Sequence, residues 1–388
     1  MASGPAGGGA GQTGDQAGEA PSRLPPPTGM DARSLAMLVS GFCAVVLFAV
    51  AAIVPVPFAV MRPGPVRDVL GTSAGSPLIS IKGHPTYPTK GSLDLLTVSI
   101  EGGPGSTVSL ADVVRGWLDD DVTVRPEREL FPANQTEKEV ERQSTEEMTT
   151  SQENATAAAL LELGIRVPTT LTVYGFSGKG GARGELEKSD VIETLDGQPV
   201  NDLPQLRRLL QQVPPGQAVQ VGVRRDGSSR TVSVTTERGD DGRTLLGVLI
   251  DPTYHFPFDV NIKIDNIGGP SAGMMFSLGI IDKLTPGPMT GGRQIAGTGT
   301  IDVAGEVGPI GGIQQKLVGA RAAGATWFLA PAGNCDEVVG HVPRGLRVVK
   351  VATLSQARAA VEAIGAGKGT AALPTCVARS GGEAPASF

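Results

Sequence analysis

The run Met274-Met275-Phe276-Ser277-Leu278-Gly279-Ile280-Ile281 is apolar on every side of a helical wheel. A helix of that kind is buried all round, so the chain must supply layers on more than one side of it. Before it stands a glycine-rich turn, Gly268-Gly269-Pro270-Ser271-Ala272-Gly273. Before the turn stands the alternating Val260-Asn261-Ile262-Lys263-Ile264-Asp265, which reads as a strand. Ser271 therefore sits where a turn feeds the amino end of a buried helix. Unpaired N–H groups and the positive end of the helix dipole converge there. Such a place suits an N-cap serine. It equally suits a hydroxyl that becomes an alkoxide and then faces a tetrahedral oxyanion.

A nucleophilic serine needs a base. The chain has three histidines, His84, His255 and His341. Gly269-x-Ser271-x-Gly273 fits the nucleophile elbow of α/β-hydrolases, in which an acid and then a histidine follow the serine. Only His341 follows Ser271. Asp336 is too near it for a separate loop, which leaves Asp282 and Asp302 as acids of such a triad. Lys316 is the better base. Ile313 to Ala323 reads as a helix ended by Gly324, with Ile313, Leu317, Ala320 and Ala323 as its apolar stripe. Lys316 lies inside that stripe, while Gln314, Gln315 and Arg321 are placed to face water. A lysine on a buried face loses stabilisation of its charge, and a neutral amine can take a proton from a hydroxyl. A lysine that snorkels from the edge of the stripe gives the same pattern.

These residues together carry a resemblance. Gly269-Pro270-Ser271-Ala272-Gly273, then Gly297-Thr298-Gly299, then Gly305-Glu306-Val307-Gly308-Pro309-Ile310-Gly311-Gly312-Ile313-Gln314-Gln315-Lys316, and on through Pro331-Ala332-Gly333-Asn334, resembles the proteolytic domain of Lon-type serine proteases. The resemblance implies Ser271 as nucleophile and Lys316 as general base, with Thr298 placing a hydroxyl near the amine and Gly269, Pro270 and Ala272 shaping the turn. One position departs. Lon-type sequences usually carry an acid just before Gly-Pro-Ser, and here that position is Gly268.

The rest of the chain divides by composition. Residues 1–34 are Gly, Ala, Pro, Ser and Gln with few apolar side chains, and read as a disordered tail. Leu35 to Val54 is uncharged and long enough to span a bilayer, so residues 35–60 read as an anchor closed by Pro55 and Pro57. Ala49-Val50-Ala51 would fit a signal-peptidase site instead. Arg23 and Arg33 on one side balance Arg62 and Arg67 on the other, so charge does not orient the span. Residues 61–164 hold a strand at Gly91–Ile100 and a helix from the capping box Thr136-Glu137-Lys138-Glu139 to Leu163. Lon-type catalytic domains begin with strands and a helix well before the serine, so the resemblance implies that this segment, through residues 75–163, supplies the first elements of the protease domain. Asn134-Gln135-Thr136 and Asn154-Ala155-Thr156 match glycosylation sequons.

Residues 165–238 change character. Asp190-Val191-Ile192, a short helix near Leu203 to Gln212, and two valine-rich runs about the turn Arg225-Asp226-Gly227 resemble a PDZ domain. PDZ domains take a peptide end as an added strand. The glycine usual before Asp-Val-Ile is Ser189, and the carboxylate-binding loop is expected near Thr172 to Phe176. Residues 239–365 complete the protease-like part, and 366–388 read as a loose tail. Cys335 and Cys376 could pair if that part lies outside the cytoplasm, or stay as two thiols.

The expected fold class is therefore α+β: a single N-terminal transmembrane helix, a PDZ-like β domain and a Lon-type proteolytic α/β domain. Tail, span, PDZ and Ser/Lys site in that order resemble the membrane-anchored, PDZ-containing Lon-like proteases of Gram-positive bacteria. The resemblance implies an ATP-independent serine endopeptidase on the outer face of the cell membrane, acting on membrane-linked or exported proteins, and assembly as a homo-oligomeric ring of six. A non-catalytic PDZ adaptor on a protease-like scaffold is the rival. Net charge is −6, which gives no footprint for nucleic acid. Neither HExxH nor CxxC is present, so no metal or other cofactor is expected. Gly178-Lys179-Gly180 is only a broken P-loop.

Overall fold

The computed structural model describes residues 31–73, 75–132, 135–177, 181–240, 242–264 and 267–377. Residues 1–30 of the first tail, Asn134 of the first sequon, the Gly178-Lys179-Gly180 segment, Asp265 and residues 378–388 lie outside them. The chain forms two compact units that meet at Val54 and Pro55. In the first, helix α1 (Ala32–Ile53) is capped by the Asp31 carboxylate, which accepts from Ser34 N at 3.0 Å. Its 22 residues span about 33 Å, enough to cross the hydrocarbon core of a bilayer. None of its apolar window is buried within the protein.

In the second unit the chain runs through β1 (Pro55–Val56), β2 (Phe58–Asp68), β3 (Ile79–Lys82), β4 (Ser92–Glu101) and β5 (Val108–Ser109). Then come α2 (Leu110–Trp117), β6 (Thr123–Pro126) and the long α3 (Glu137–Glu162). The predicted capping box holds: Thr136 Oγ1 accepts from Glu139 N, and the Glu139 carboxylate accepts from Thr136 N. A PDZ-type sheet intervenes, made from β7 (Thr169–Phe176), β8 (Val191–Leu195), β9 (Ala218–Arg225), β10 (Ser228–Thr235) and β11 (Val248–Tyr254), with α4 (Leu203–Leu210) before β9. The chain then returns through β12 (Asp259–Ile262), α5 (Gly273–Leu284), β13 (Gln294–Gly297), β14 (Thr300–Ile301), β15 (Val307–Gly308), α6 (Ile313–Ala322), β16 (Trp327–Pro331), β17 (Arg347–Val351) and α7 (Leu354–Ala366).

The larger sheet has the order β17-β16-β13-β4-β2-β6. β4 pairs in parallel with β13, although some 200 residues separate them, so the segment before the PDZ-type sheet and the segment after it share one sheet. Alternate residues face opposite layers. Leu93, Leu95, Ile295, Leu329 and Val349 meet the layer that holds α3, α5 and α7. Leu96, Ala296, Phe328 and Val348 meet Ile313, Leu317 and Ala320 of α6 on the other face. The apolar α5 is thereby covered on all sides, from Gly273 to Asp282 without an exposed residue. The strand expected over Val260–Asp265 is shorter: β12 ends at Ile262 and pairs with β3, outside the larger sheet.

The smaller sheet has the order β10-β9-β8-β7-β11, with its own core of Leu171, Val173, Ile192, Leu206, Val221 and Val234. Its hairpin turns on Asp226 and Gly227, both at positive φ, as a tight turn between twisted strands requires. Ser189, which stands where a glycine is usual, also has positive φ (74°). This sheet reaches past the expected limit at residue 238, because its edge strand β11 comes from residues 248–254. Thr172–Phe176 do not form the expected carboxylate-binding loop: they lie inside β7, paired with β11 through Phe176 and with β8 at Thr172. The segment after α7 is also not loose as far as Val377. Cys376 is bonded to Cys335, and Lys350 N donates to Pro374 O at 2.8 Å.

Candidate active site

The turn before α5 is strapped from two sides. Gly269, at φ 81°, donates its N–H to Ser144 O of α3 at 3.1 Å, and Ser151 Oγ of α3 donates to Pro270 O at 3.0 Å. The carbonyl of Ser271 accepts from Gly299 N and from Thr298 Oγ1, both at 2.9 Å. At Gly268 an added Cβ would stand 1.8 Å from Ser144 Oγ. An acid there, as in the Lon pattern, would require Ser144 of α3 to shift. Ala272, buried, is the N-cap residue of α5 and the helix begins at Gly273, so Ser271 is not a side-chain cap. The amides of Gly273 and Met274 donate to Pro270 O and Gly299 O. Those of Ser271 and Ala272 have no acceptor among the described residues.

The Ser271 hydroxyl meets an amine. Lys316 Nζ lies 2.9 Å from Ser271 Oγ and 3.0 Å from Thr298 Oγ1, although 45 positions separate Lys316 from Ser271. Lys316 is 3 % exposed, and no carboxylate pairs with it among the described residues. Burial without a counter-charge lowers its pKa from 10.5 to about 8. It does not snorkel: its amine ends on the two hydroxyls, inside the protein. Its neighbour Gln315 is also turned inward, with its amide donating to Thr123 Oγ1 at 2.7 Å; a partner on β6 thus offsets the cost of burying it. Of the expected stripe, Ala323 is exposed.

The histidine alternative is not assembled. His255 Nε2 lies 3.0 Å from Thr170 Oγ1, His84 packs on Phe258, and His341 is exposed. Asp282 is buried in α5 and accepts from Met289 N, while Asp302 pairs with Arg207 at 2.6 Å.

Ser271 and Lys316 open onto a cleft of about 530 Å³ whose apolar wall includes Met61, Leu95, Met148 and Ile267. Along it runs β4. Through Leu95 that strand pairs with β13, but from Leu96 onward only β2 accompanies it, so its other edge faces the cleft. A second concavity, of about 420 Å³, lies between α4 and the β11 edge. Leu203, Leu206 and Leu210 form one wall, and Leu246, Val248 and Ile250 the other. At its rim Arg207 pairs with Asp302, and Arg243 with Glu306 at 3.5 Å, both acids on the β14–β15 hairpin. The sequence signal for this groove was the apolar run about Gly247, Leu245-Leu246-Gly247-Val248. It falls beyond the limit expected for the smaller domain.

Residues 250–362 match the Lon protease (S16) C-terminal proteolytic domain, and residues 171–236 match the PDZ domain. Lon protease 1 of Bacillus subtilis (strain 168) is 32 % identical over 102 residues, 25 % of this chain and 13 % of that protein. Lon protease 2 of Herpetosiphon aurantiacus is 38 % identical over 109 residues, 26 % of this chain and 13 % of that protein. The chain thus spans about an eighth of the length of these relatives. Among solved structures, the PDZ domain of an SdrC-like protein from Listeria innocua is 18 % identical, over 22 % of this chain and 99 % of that one, with a TM-score of 0.21. The chain carries a Lon-type proteolytic domain and a PDZ domain.

Proposed function

We propose that this protein is a membrane-anchored serine endopeptidase that uses a Ser271/Lys316 dyad and needs no nucleotide. The observation that carries the reading is the 2.9 Å contact between the Ser271 hydroxyl and a buried amine that has no counter-charge. Neutral Lys316 takes the Ser271 proton, and Ser271 Oγ attacks a peptide carbonyl. In this reading the amides of Ser271 and Ala272, which have no acceptor among the described residues, hold the oxyanion. Lys316 returns the proton to the leaving amine, and water repeats the sequence on the acyl-enzyme. Thr298 holds the amine through its hydroxyl and, by the same hydroxyl, the carbonyl of Ser271. The substrate strand adds to the open edge of β4.

In this reading the groove beside β11 receives the end of a peptide as a further strand and presents substrate. α1 is the anchor. A Cys335–Cys376 disulfide is chemistry of an oxidising compartment, which favours placing the domain outside the cytoplasm. The purified full chain, incubated in detergent with a loosely folded protein and no nucleotide, is expected to degrade it. Intact protein after such an incubation, with Ser271 unreactive, would favour the adaptor.

A further inference from the structure

Outside α1, the exposed large apolar side chains fall largely into two clusters. Tyr174, Leu245 and Leu249 belong to or flank the groove of the smaller domain. The other cluster is on α2. Leu110 (39 % exposed), Val114 (43 %), Trp117 (63 %) and Leu118 (83 %) recur at helical spacing and form one outward stripe. The adjoining face, with Val113 and Gly116, is already spent on the core beside β2 and β6, and Trp117 meets Phe58 of β2 edge-on with ring centroids 6.4 Å apart while keeping most of its surface outward. α2 is therefore apolar on two faces, and only one is covered.

Chain connectivity says what covers the other. α1 ends at Ile53, and Pro55 opens β1. β1 pairs with β5, Pro55 opposite Ser109 and Val56 opposite Val108, and α2 begins at the next residue, Leu110. The first residue after the α1 cap Val54 is thus the strand partner of Ser109, the residue from which α2 starts. We propose that the α2 stripe docks on the lipid surface of the bilayer that holds α1, with Trp117 at the headgroup level. Tryptophan favours that level, since its ring is apolar and its N–H is polar. The attachment is apolar and not electrostatic: Arg115 is held by Asp112 at 3.7 Å, and Asp119, Asp120 and Asp121 follow the stripe. The proposal rests on reading α1 as an anchor.

The chain has two tryptophans, and the other, Trp327, is 8 % exposed beneath Arg347. The full chain is reconstituted in phosphatidylcholine vesicles with plain or bromine-labelled acyl chains, beside Trp117→Phe and Val114→Asp/Leu118→Asp variants. Emission assigned to Trp117 should fall by about half or more on labelled lipid, because an interfacial indole lies next to the acyl chains. The fall should survive high salt and vanish in the double variant. Chain that sediments with the vesicles but shows no quenching overturns the docking and leaves the anchor standing. Chain that stays in the supernatant overturns the anchor reading, and the docking with it. A blue shift that grows with protein concentration and ignores labelled lipid means that a second copy covers the stripe, which also overturns the proposal.

Discussion

The cleft at Ser271 and the groove beside β11 are both a strand edge facing a helix, yet they are equipped for different work. The cleft brings an ionisable amine inside, 3 % exposed, and aims it at a hydroxyl. The groove lines its walls with leucine, valine and isoleucine, and leaves its two arginines at the rim, each paired with an acid of the other domain. Burying an ammonium without a partner costs stability, and nothing in packing requires it. The groove shows no such cost. In the proposed function a peptide is held in either place, but of the two only the cleft is lined by a buried amine in contact with a hydroxyl.

Substitutions at the two sites should separate these roles. Ser271→Ala should lower peptidase activity by about 10³-fold or more, since the nucleophile is lost while binding remains. Lys316→Arg should do nearly the same, because a guanidinium stays charged. A circular dichroism melt confirms the fold in each case. Lys316→Met should also abolish activity but raise the melting temperature. The sign follows from linkage. The folded pKa of about 8 lies below the unfolded value of about 10.5, so the folded state binds fewer protons between them. Stability rises with pH across that window, and near pH 7 the buried amine costs about 3 kcal/mol, at 1.36 kcal/mol per pKa unit. A variant without the amine escapes that cost.

The pH profile is the next effect in size. kcat/KM should rise about tenfold per pH unit up to about 8 and then level, because the neutral amine is the active form. Leu249→Asp, at the partly exposed groove edge, should weaken peptide binding there about tenfold by removing apolar burial, read by fluorescence anisotropy. Turnover of a short chromogenic peptide should not change. If it falls as far as protein cleavage does, the two sites are not as separate as described. The smallest effect on activity is at the edge of the cleft domain, where the change is in stability instead. Cys376→Ser opens a loop of 41 residues and should cost up to roughly 4 kcal/mol of stability by chain entropy, seen as a lower melting temperature at unchanged pH optimum.

Much of the cleft was legible because its parts are local. The all-round apolar run gave α5, the glycine turn gave the place of Ser271, and a lysine in an apolar stripe gave Lys316. What was not legible depends on partners distant in sequence. Gln315 turns inward only because Thr123 is there to receive it. The absence of a side chain at Gly268 is explained only by Ser144, on a helix more than a hundred residues earlier. The groove was missed because β11, which forms its edge, follows the PDZ-like pattern in sequence instead of lying within it. Valine and leucine periodicity marks a strand but does not say which edge stays open.

The measurement that tests the central claim most directly is the rate at which a serine-directed phosphonate labels the full chain as pH is varied. Labelling should be confined to Ser271, absent in Ser271→Ala, and should rise about tenfold per unit to a plateau near pH 8 as Lys316 loses its proton. A rate that is flat with pH, or equal in wild type and Lys316→Arg, would contradict it.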